Sequence, residues 1–535
     1  MTIVRGLILT LCLAVFLPVQ AMAQQTGGPC PRPAPGAVVA PPADLYSQNG
    51  LLQVALNYYT SVDAFNRTEF CFVTTDGNEG PTLHVNPGDR IEISLTNMVA
   101  NPKGAGEEVV GSTTGQCFSN IMNAASVNMH FHGTNVVPQC HSDEVIHTLI
   151  NSGQTFQYDI NIPKDEPPGL YWYHPHVHGI ASHAVQGGAT GVIEVEGIAN
   201  FEPIVAGLPE RYLVIRDLPL GVVGLWSPNA PFWDISLNYV PINYPQYTPS
   251  IIQMNPGVQE FWRVANTAAD TIMDLSLTYD GVAQPLTLVA LDGVPIGSQD
   301  GKHQGTTITQ TDVYIPPASR AEFVVTGPTA SVKSAVLSTA RIDTGPQGDS
   351  DPARPLATIQ LTQAALGLPL TQERNGPPNP QRFADLAHAK VTAKRTLYFS
   401  EGFIVGESGG FVFYITVKGQ EPEAFKPDNP PAIITKQGAV EDWTIQNHSG
   451  EVHEFHIHQI HFLLLAVNGV PVPKAQQQFY DTYQVGYWKG KGKYPSITVR
   501  MDFRGAVVGD FVYHCHILDH EDAGMMAKIR VLPKS

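Results

Sequence analysis

The chain has 535 residues, with 48 Gly, 44 Pro and only 15% charged side chains. That length suggests about three domains of ~150 residues each, and Gly and Pro among Val/Ile/Thr-rich stretches predict strands joined by many turns. A formal charge of −17 argues against nucleic acid and anionic membrane surfaces as partners.

Residues 1–23 carry one basic residue, Arg5, then an apolar run from Gly6 to Leu17 and the small-residue signal Ala21-Met22-Ala23. This pattern predicts a signal peptide, with Gln24 as the mature N-terminus. The run is shorter than the ~20 residues a membrane span needs, and no twin-arginine pair is present, so Sec-type export to the periplasm or the exterior is expected. Cleavage removes Arg5 and Cys12 and takes the formal charge to −18. No later segment is long and apolar enough to span a membrane. Cys30, Cys71, Cys117 and Cys140 form an even set in an exported chain, which predicts two disulfides with three possible pairings.

A turn-then-strand pattern occurs three times, at Thr82–Asn97, Ile251–Asn266 and Ile433–Asn447. Each copy has a Gly followed nine residues later by an Asn: Gly88/Asn97, Gly257/Asn266 and Gly438/Asn447. The repeat predicts three copies of one β-domain. Domain 1 is expected at 24–200, domain 2 at 208–363, a Pro/Gly-rich surface connection at 364–393, and domain 3 at 394–535.

Ten of the nineteen histidines fall in four clusters. They are His130-Phe-His132, His174-Pro175-His176, His453-Glu-Phe-His456-Ile-His458, and His514-Cys515-His516-Ile-Leu-Asp-His520, with Met525 five residues further on. Gly169 to His176 aligns with Gly509 to His516, and His130/His132 aligns with His456/His458. Domain 1 has Val127 where domain 3 has His453, and Pro175 where it has Cys515, so only domain 3 can build a thiolate site. Domain 2 holds only His303, which leaves it the role of spacer. On a strand, His-x-His points both rings to one face, so each outer domain carries half of a cluster.

One thiolate, two imidazoles and a weak thioether are the ligands of a blue-copper site. Cys515, His453, His520 and Met525 supply that set. His514 and His516 flank Cys515 and point the opposite way, toward a second site. That site collects His130, His132, His174, His176, His456, His458, His514 and His516, enough for three coppers shared three, three and two. Taken alone, His-x-His is commonly structural and His-Cys-His could bind zinc; the four clusters split over two matching domains point to copper. His84, His303, His388 and His448 read as solvated or locally hydrogen-bonded. His178, His183 and His461 lie near the motifs and could support ligands, and His141 and His147 are left open. Glu521, beside His520, and Asp143, eleven residues after His132, are the candidate proton donors for dioxygen reduction.

These motifs, in this order, resemble the multicopper oxidases: laccases, bilirubin oxidase, copper-efflux oxidases and ascorbate oxidase. The resemblance covers nearly the whole chain after residue 23. It implies an all-β fold of three cupredoxin-like Greek-key β-barrel domains, with type 1 copper in domain 3 and a trinuclear cluster between domains 1 and 3. It assigns His453, Cys515 and His520 to type 1 copper with Met525 axial, and His130 and His456 to type 2. His132, His174, His176, His458, His514 and His516 then hold the type 3 pair, for four coppers in all. Glu521 matches an acidic residue implicated in proton delivery in bacterial spore-coat laccases. Asp143 matches a loop aspartate near type 2 copper, with a one-residue difference in spacing.

Two features depart from the family pattern. Glu454 and Gln459 flank the His453 to His461 motif differently from plant and fungal laccases, and there is no methionine-rich insertion. The expectation is a laccase-like oxidase that takes electrons singly from phenols or aromatic amines and reduces dioxygen to water. The alternative is a metal oxidase acting on Cu(I), Fe(II) or Mn(II). A copper-free structural relative is disfavoured because every ligand is present. The partners expected are a small-molecule reducing substrate and O2, with no nucleic acid, no membrane insertion after cleavage, and a monomeric chain.

Overall fold

The three sequence repeats form three equivalent strands, Arg90–Asn97, Gln259–Asn266 and Val440–Asn447. Each lies parallel to a long preceding strand, Leu51–Val62, Pro209–Pro219 or Ala393–Ile404. Each is antiparallel to a later one, Thr155–Asn161, Arg320–Thr326 or Ser496–Asp502. Gly88, Gly257 and Gly438 all sit in the turn before the strand with φ of +90°, +68° and +96°, a region that L side chains avoid. These relations come from a computed structural model that describes residues 28–101, 106–110, 117, 119–220, 230–298, 305–362, 371–372, 382–404 and 410–534. The expected signal peptide with Cys12 and Gln24, His303, and the centre of the 364–393 connection lie outside the described residues.

The repeated Asn has a physical role that explains its spacing. Asn97, Asn266 and Asn447 are all fully buried at the end of their strands. Each side-chain amide donates to two backbone carbonyls: Ala125 and Ile150, Thr271 and Ile315, and Glu451 and Val485. Each Oδ1 accepts the backbone N–H two residues on, from Val99, Ala268 or Ser449. Only a side chain with both a carbonyl and an NH2 group can make all three bonds.

Among the described residues the strands build pairs of sheets: four- and five-stranded, nine- and six-stranded, and seven- and five-stranded, with one further two-stranded ribbon. Arg90–Asn97 and Val440–Asn447 alternate buried and half-buried positions, whereas Gln259–Asn266 is buried from Glu260 to Asn266. The sheet around that middle strand is covered on both faces. Leu170, Trp172 and Val192 of the first unit pack on its Tyr212, Val214, Ala265 and Ala318. Beside them the buried Arg263 guanidinium lies between Glu194, Glu210 and Glu322.

Two expectations are sharpened. The disulfides pair Cys30 with Cys71 and Cys117 with Cys140. The end of the 364–393 connection is more than a surface link, because Phe383 and Leu386 are buried against Val294, Val440, Leu463 and Phe479. Between Pro380 and Lys390 these two are the only large apolar residues, set among Ala and polar neighbours, too few to write a periodic signal.

Asn266→Asp keeps the shape of the bridge but removes both donors and buries a charge. It is expected to destabilise the protein by about 2–4 kcal/mol, read as a lowered urea midpoint. An unchanged midpoint would show that the bridge is dispensable.

Candidate metal centre

Strand pairing brings the histidine motifs together in the same register twice. In the first unit Gly169–His174 pairs antiparallel with His130–His132, so that His174 lies opposite His130. In the third, Gly509–Cys515 pairs antiparallel with His453–Ile457, so that His514 lies opposite His456 and Cys515 opposite Phe455. The alternation of strand side chains sends His514 and His516 to one side and Cys515 to the other.

On the first side, eight buried imidazoles face one another across the seam between the first and third units. Their ring nitrogens fall into the groups His132/His174/His516 and His176/His458/His514, with His130 and His456 grouped beside His132. The Nε2 atoms of His176, His458 and His514 stand 3.2–3.3 Å from one another. The centre of that triangle lies about 1.9 Å from each nitrogen, close to a metal–imidazole bond of ~2.0 Å.

Hydrogen bonds at the back of the rings set which nitrogen faces inward. His130 Nδ1 donates to Asp143 (2.9 and 3.0 Å), His456 Nδ1 to the Asp481 carbonyl (2.8 Å), and His174 Nδ1 to the Pro175 carbonyl (2.9 Å). His514 Nδ1 donates to the Cys515 carbonyl at 2.8 Å. The inward nitrogens His130 Nε2, His174 Nε2, His456 Nε2 and His132 Nδ1 are buried and meet no hydrogen-bond partner among the described residues. A buried polar atom left unpaired costs about 1–3 kcal/mol, so several converging on one space fit a bound cation. Burial, reinforced by the neighbouring rings, pushes His130, His132, His174, His456, His458 and His516 well below the usual histidine range, and His514 to about 3. Neutral imidazole is the metal-binding form.

On the other side, Cys515 Sγ lies 3.6 Å from His453 Nδ1 and 3.8 Å from His520 Nδ1, and those two nitrogens are 3.1 Å apart. The sulfur accepts the Glu454 backbone N–H at 3.4 Å. Met525 is buried in the same apolar cluster, and its carbonyl accepts the Cys515 N–H at 3.0 Å. Burial pushes the Cys515 thiol well up, so its thiolate requires a bound cation. The soft sulfur with two imidazoles suits copper, and the all-nitrogen cage suits copper equally.

The outer edges of this second set meet carboxylates that the sequence reading did not single out. His453 Nε2 is 3.5 Å from Glu401, and His520 Nε2 is 3.4 Å from Glu451. Glu401 precedes the His453 motif by more than fifty residues, and nothing local marks it. Asp481 was also missed, although it holds two of the rings.

The two candidate proton donors differ. Asp143 is fully engaged, accepting from His130, the Phe131 N–H at 3.0 Å and the Gln459 amide. Burial pushes its carboxyl up to about 7. Glu521 is also fully buried, but the nearest donor to it is His178 Nδ1 at 3.5 Å, the limit of a hydrogen bond. Burial raises the Glu521 carboxyl, and His176, His178 and His514 outweigh it, leaving it below the usual range.

The remaining described histidines lie outside both sets. His84 is buried among Asp44, Glu194 and Glu196 rather than solvated. His448 stacks between Tyr398 and Tyr494, and His388 is exposed. His461 donates Nε2 to the Asp292 carbonyl at 2.8 Å, and burial pushes it to about 4. His141 reaches the Gln157 carbonyl, His147 reaches Glu144, and His183 is exposed.

A family described as multicopper oxidase matches through two models, at residues 112–199 and 407–535. The chain is 23% identical over 488 residues to a laccase of Haloferax volcanii, covering 84% of this chain and 75% of that protein. Its fold superposes on the McoA multicopper oxidase 2F4 variant of Aquifex aeolicus with a TM-score of 0.66 and 17% identity, over 93% of this chain and 99% of that one. It also superposes on a multicopper oxidase of Campylobacter jejuni, described as a metallo-oxidase, with a TM-score of 0.65 and 22% identity, over 94% and 96%. The shared architecture is three cupredoxin-like domains.

Cys515→Ser removes the one soft ligand while leaving the histidine cage intact. The copper-loaded variant is expected to lack the intense thiolate-to-copper absorption and to stay folded with the cage loaded. Retention of that absorption would refute Cys515 as a ligand.

Proposed function

Because the chain belongs to the multicopper oxidase family, and is therefore a copper-dependent oxidoreductase that uses dioxygen, we propose that it is a laccase-like member acting on phenols or aromatic amines. One copper would be held by His453, Cys515 and His520, with Met525 as a further, weaker ligand. His130 and His456 would hold a second, and the sets His132/His174/His516 and His176/His458/His514 a third and a fourth. Bound copper supplies one-electron acceptance from the donor at the first set and four-electron reduction of dioxygen to water at the other three. Cys515 and its neighbours His514 and His516 form a path of covalent bonds between the two ligand sets.

The observation that carries the donor class is a cavity of about 760 Å³ beside His453. Tyr487, Trp488 and His448 give it aromatic walls, and Glu401 stands between it and the His453 ring. Flat rings stack on such walls, and a carboxylate next to the acceptor can take the proton a phenol loses with its electron. Glu401 and Glu451 also support a second reading. Two carboxylates at the edges of His453 and His520 suit a metal cation, so oxidation of Cu(I), Fe(II) or Mn(II) is the alternative. A secreted or periplasmic location goes with this proposal, supported by the leader pattern and by two disulfides that require an oxidising compartment.

Steady-state rates on the copper-loaded enzyme separate the two readings. A substituted phenol is expected to give a higher kcat/KM than Cu(I), Fe(II) or Mn(II). The reverse order, with Glu401→Gln abolishing only metal oxidation, would replace the laccase-like reading with the metal-oxidase one.

Proton supply gives a separate test. Glu521 and His520 are consecutive in the short helix Leu518–Asp522. One step along a helix turns the side chain by about 100°, so His520 faces Cys515 while Glu521 faces His178 and the cage. The His178 side chain is 22% exposed and that of Glu521 is not exposed at all, which makes a two-member route from solvent. Asp143, with both oxygens engaged, holds His130 instead. Glu521→Gln is expected to keep copper content and visible absorption, lower kcat about 100-fold and change the pH–rate profile. Parent-like turnover at every pH would remove Glu521 from the proton route.

A further inference from the structure

The middle domain reaches the histidine cage through a buried clamp. Asp481 lies in the third domain, between the strands Phe479–Tyr480 and Thr482–Val485. Its carboxylate receives both arms of the Arg320 guanidinium, at 2.9 and 2.7 Å. Arg320 begins the middle-domain strand Arg320–Thr326. It is aimed by further bonds from Nε to the Leu170 carbonyl and from Nη1 to the Ala318 carbonyl, both 3.0 Å. Asp292, from the same domain, accepts the Arg320 backbone N–H at 2.9 Å and reaches the Asp481 and Thr482 backbone N–H groups at 3.3 and 3.4 Å. All three charged groups are buried.

The clamp acts on two of the rings. Asp481 Oδ1 lies 3.2 Å from His132 Nε2, and the Asp481 carbonyl accepts His456 Nδ1–H at 2.8 Å. With Nε2 engaged, His132 turns Nδ1 toward His174 and His516, whereas His130, His174 and His456 turn Nε2 inward. Gly133 supplies an independent sign that the clamp is built in. A Cβ there would lie 2.5 Å from both Arg320 Nη2 and Asp481 Oδ2, so the residue after His132 has no room for a side chain.

We infer that Arg320 is a positioning residue of the metal centre: by fixing Asp481 from the middle domain it selects the nitrogen that His132 presents and holds His456 in place. This rests on the reading of the eight histidines as copper ligands. Paired carboxylates behind metal-binding histidines fix ring orientation and tautomer, and their loss typically weakens metal affinity about 10–100-fold.

The test uses the full chain, with copper content and the electron paramagnetic resonance spectrum as readouts besides activity. Arg320→Lys keeps the charge but cannot make the two-armed contact. Asp481→Asn keeps the size and removes the charge, and so provides a second variant should the first fold poorly. Both are expected to keep the visible absorption of the Cys515 site. Both should take up cage copper at least tenfold more weakly, with an altered type 2 signal. A general loss of stability would instead weaken the two sites together, and that result would overturn the inference. So would full cage loading with unchanged spectra in both variants. If the parent chain itself binds no copper at the histidine cage, the underlying functional reading fails, which is distinguishable because it needs no variant.

Discussion

Everything at the centre of this molecule depends on one costly arrangement: eight buried imidazoles packed in one seam with their ring nitrogens facing one another. His514 Nδ1 donates to the Cys515 carbonyl, so its Nε2 offers only a lone pair to the Nε2 atoms of His176 and His458 at 3.3 and 3.2 Å. The arrangement is stabilised when a cation fills it. The surrounding protein is organised to prevent escape. Strand registers set His130 against His174 and His456 against His514, and rear hydrogen bonds hold those four rings against flipping.

The supports for those rings come from all three domains. Domain 1 supplies Asp143, domain 3 supplies Asp481, and domain 2 supplies Arg320 and Asp292. The seam between domains 1 and 3 is tied again at its far side, where Asp522 accepts the Gly179 and Ser182 backbone N–H groups at 2.6 and 2.9 Å. Buried charges of this kind contribute little net stability when complete and cost about 3–5 kcal/mol when half of a pair is lost. Their value lies in geometry: they admit one relative placement of the domains, the one in which the half-sites meet.

The ligand motifs were legible in the sequence because a strand writes its chemistry in short, regular spacing. His-x-His means one face, and His-Cys-His means two faces, wherever the strand lies. The threefold repeat was legible for a similar reason, and the bridges made by Asn97, Asn266 and Asn447 now explain a spacing that was only a pattern. The second layer was not legible. Asp481 meets His132 across 349 residues of chain and Arg320 meets Asp481 across 161, Asp292 and Glu401 likewise carry no local signature, and the middle domain therefore read as a spacer. Phe383 and Leu386 were hidden for the opposite reason, being apolar residues in a stretch whose composition indicates a loop.

The asymmetry between the two outer domains has a backbone explanation. In domain 1 the residue between the paired histidines is Pro175, and its carbonyl accepts His174 Nδ1–H at 2.9 Å. In domain 3 the residue is Cys515, and its carbonyl accepts His514 Nδ1–H at 2.8 Å. The cage uses only the carbonyl at this position, which every amino acid provides. The side chain points to the opposite face and is free to be anything that packs there. Val127, fully buried in the core of domain 1, occupies the position that His453 takes in domain 3. A thiolate site can thus be present in one copy and absent from the other without disturbing the cluster they share. Alternation along a strand is what allows two metal sites of different chemistry to stand back to back on three consecutive residues.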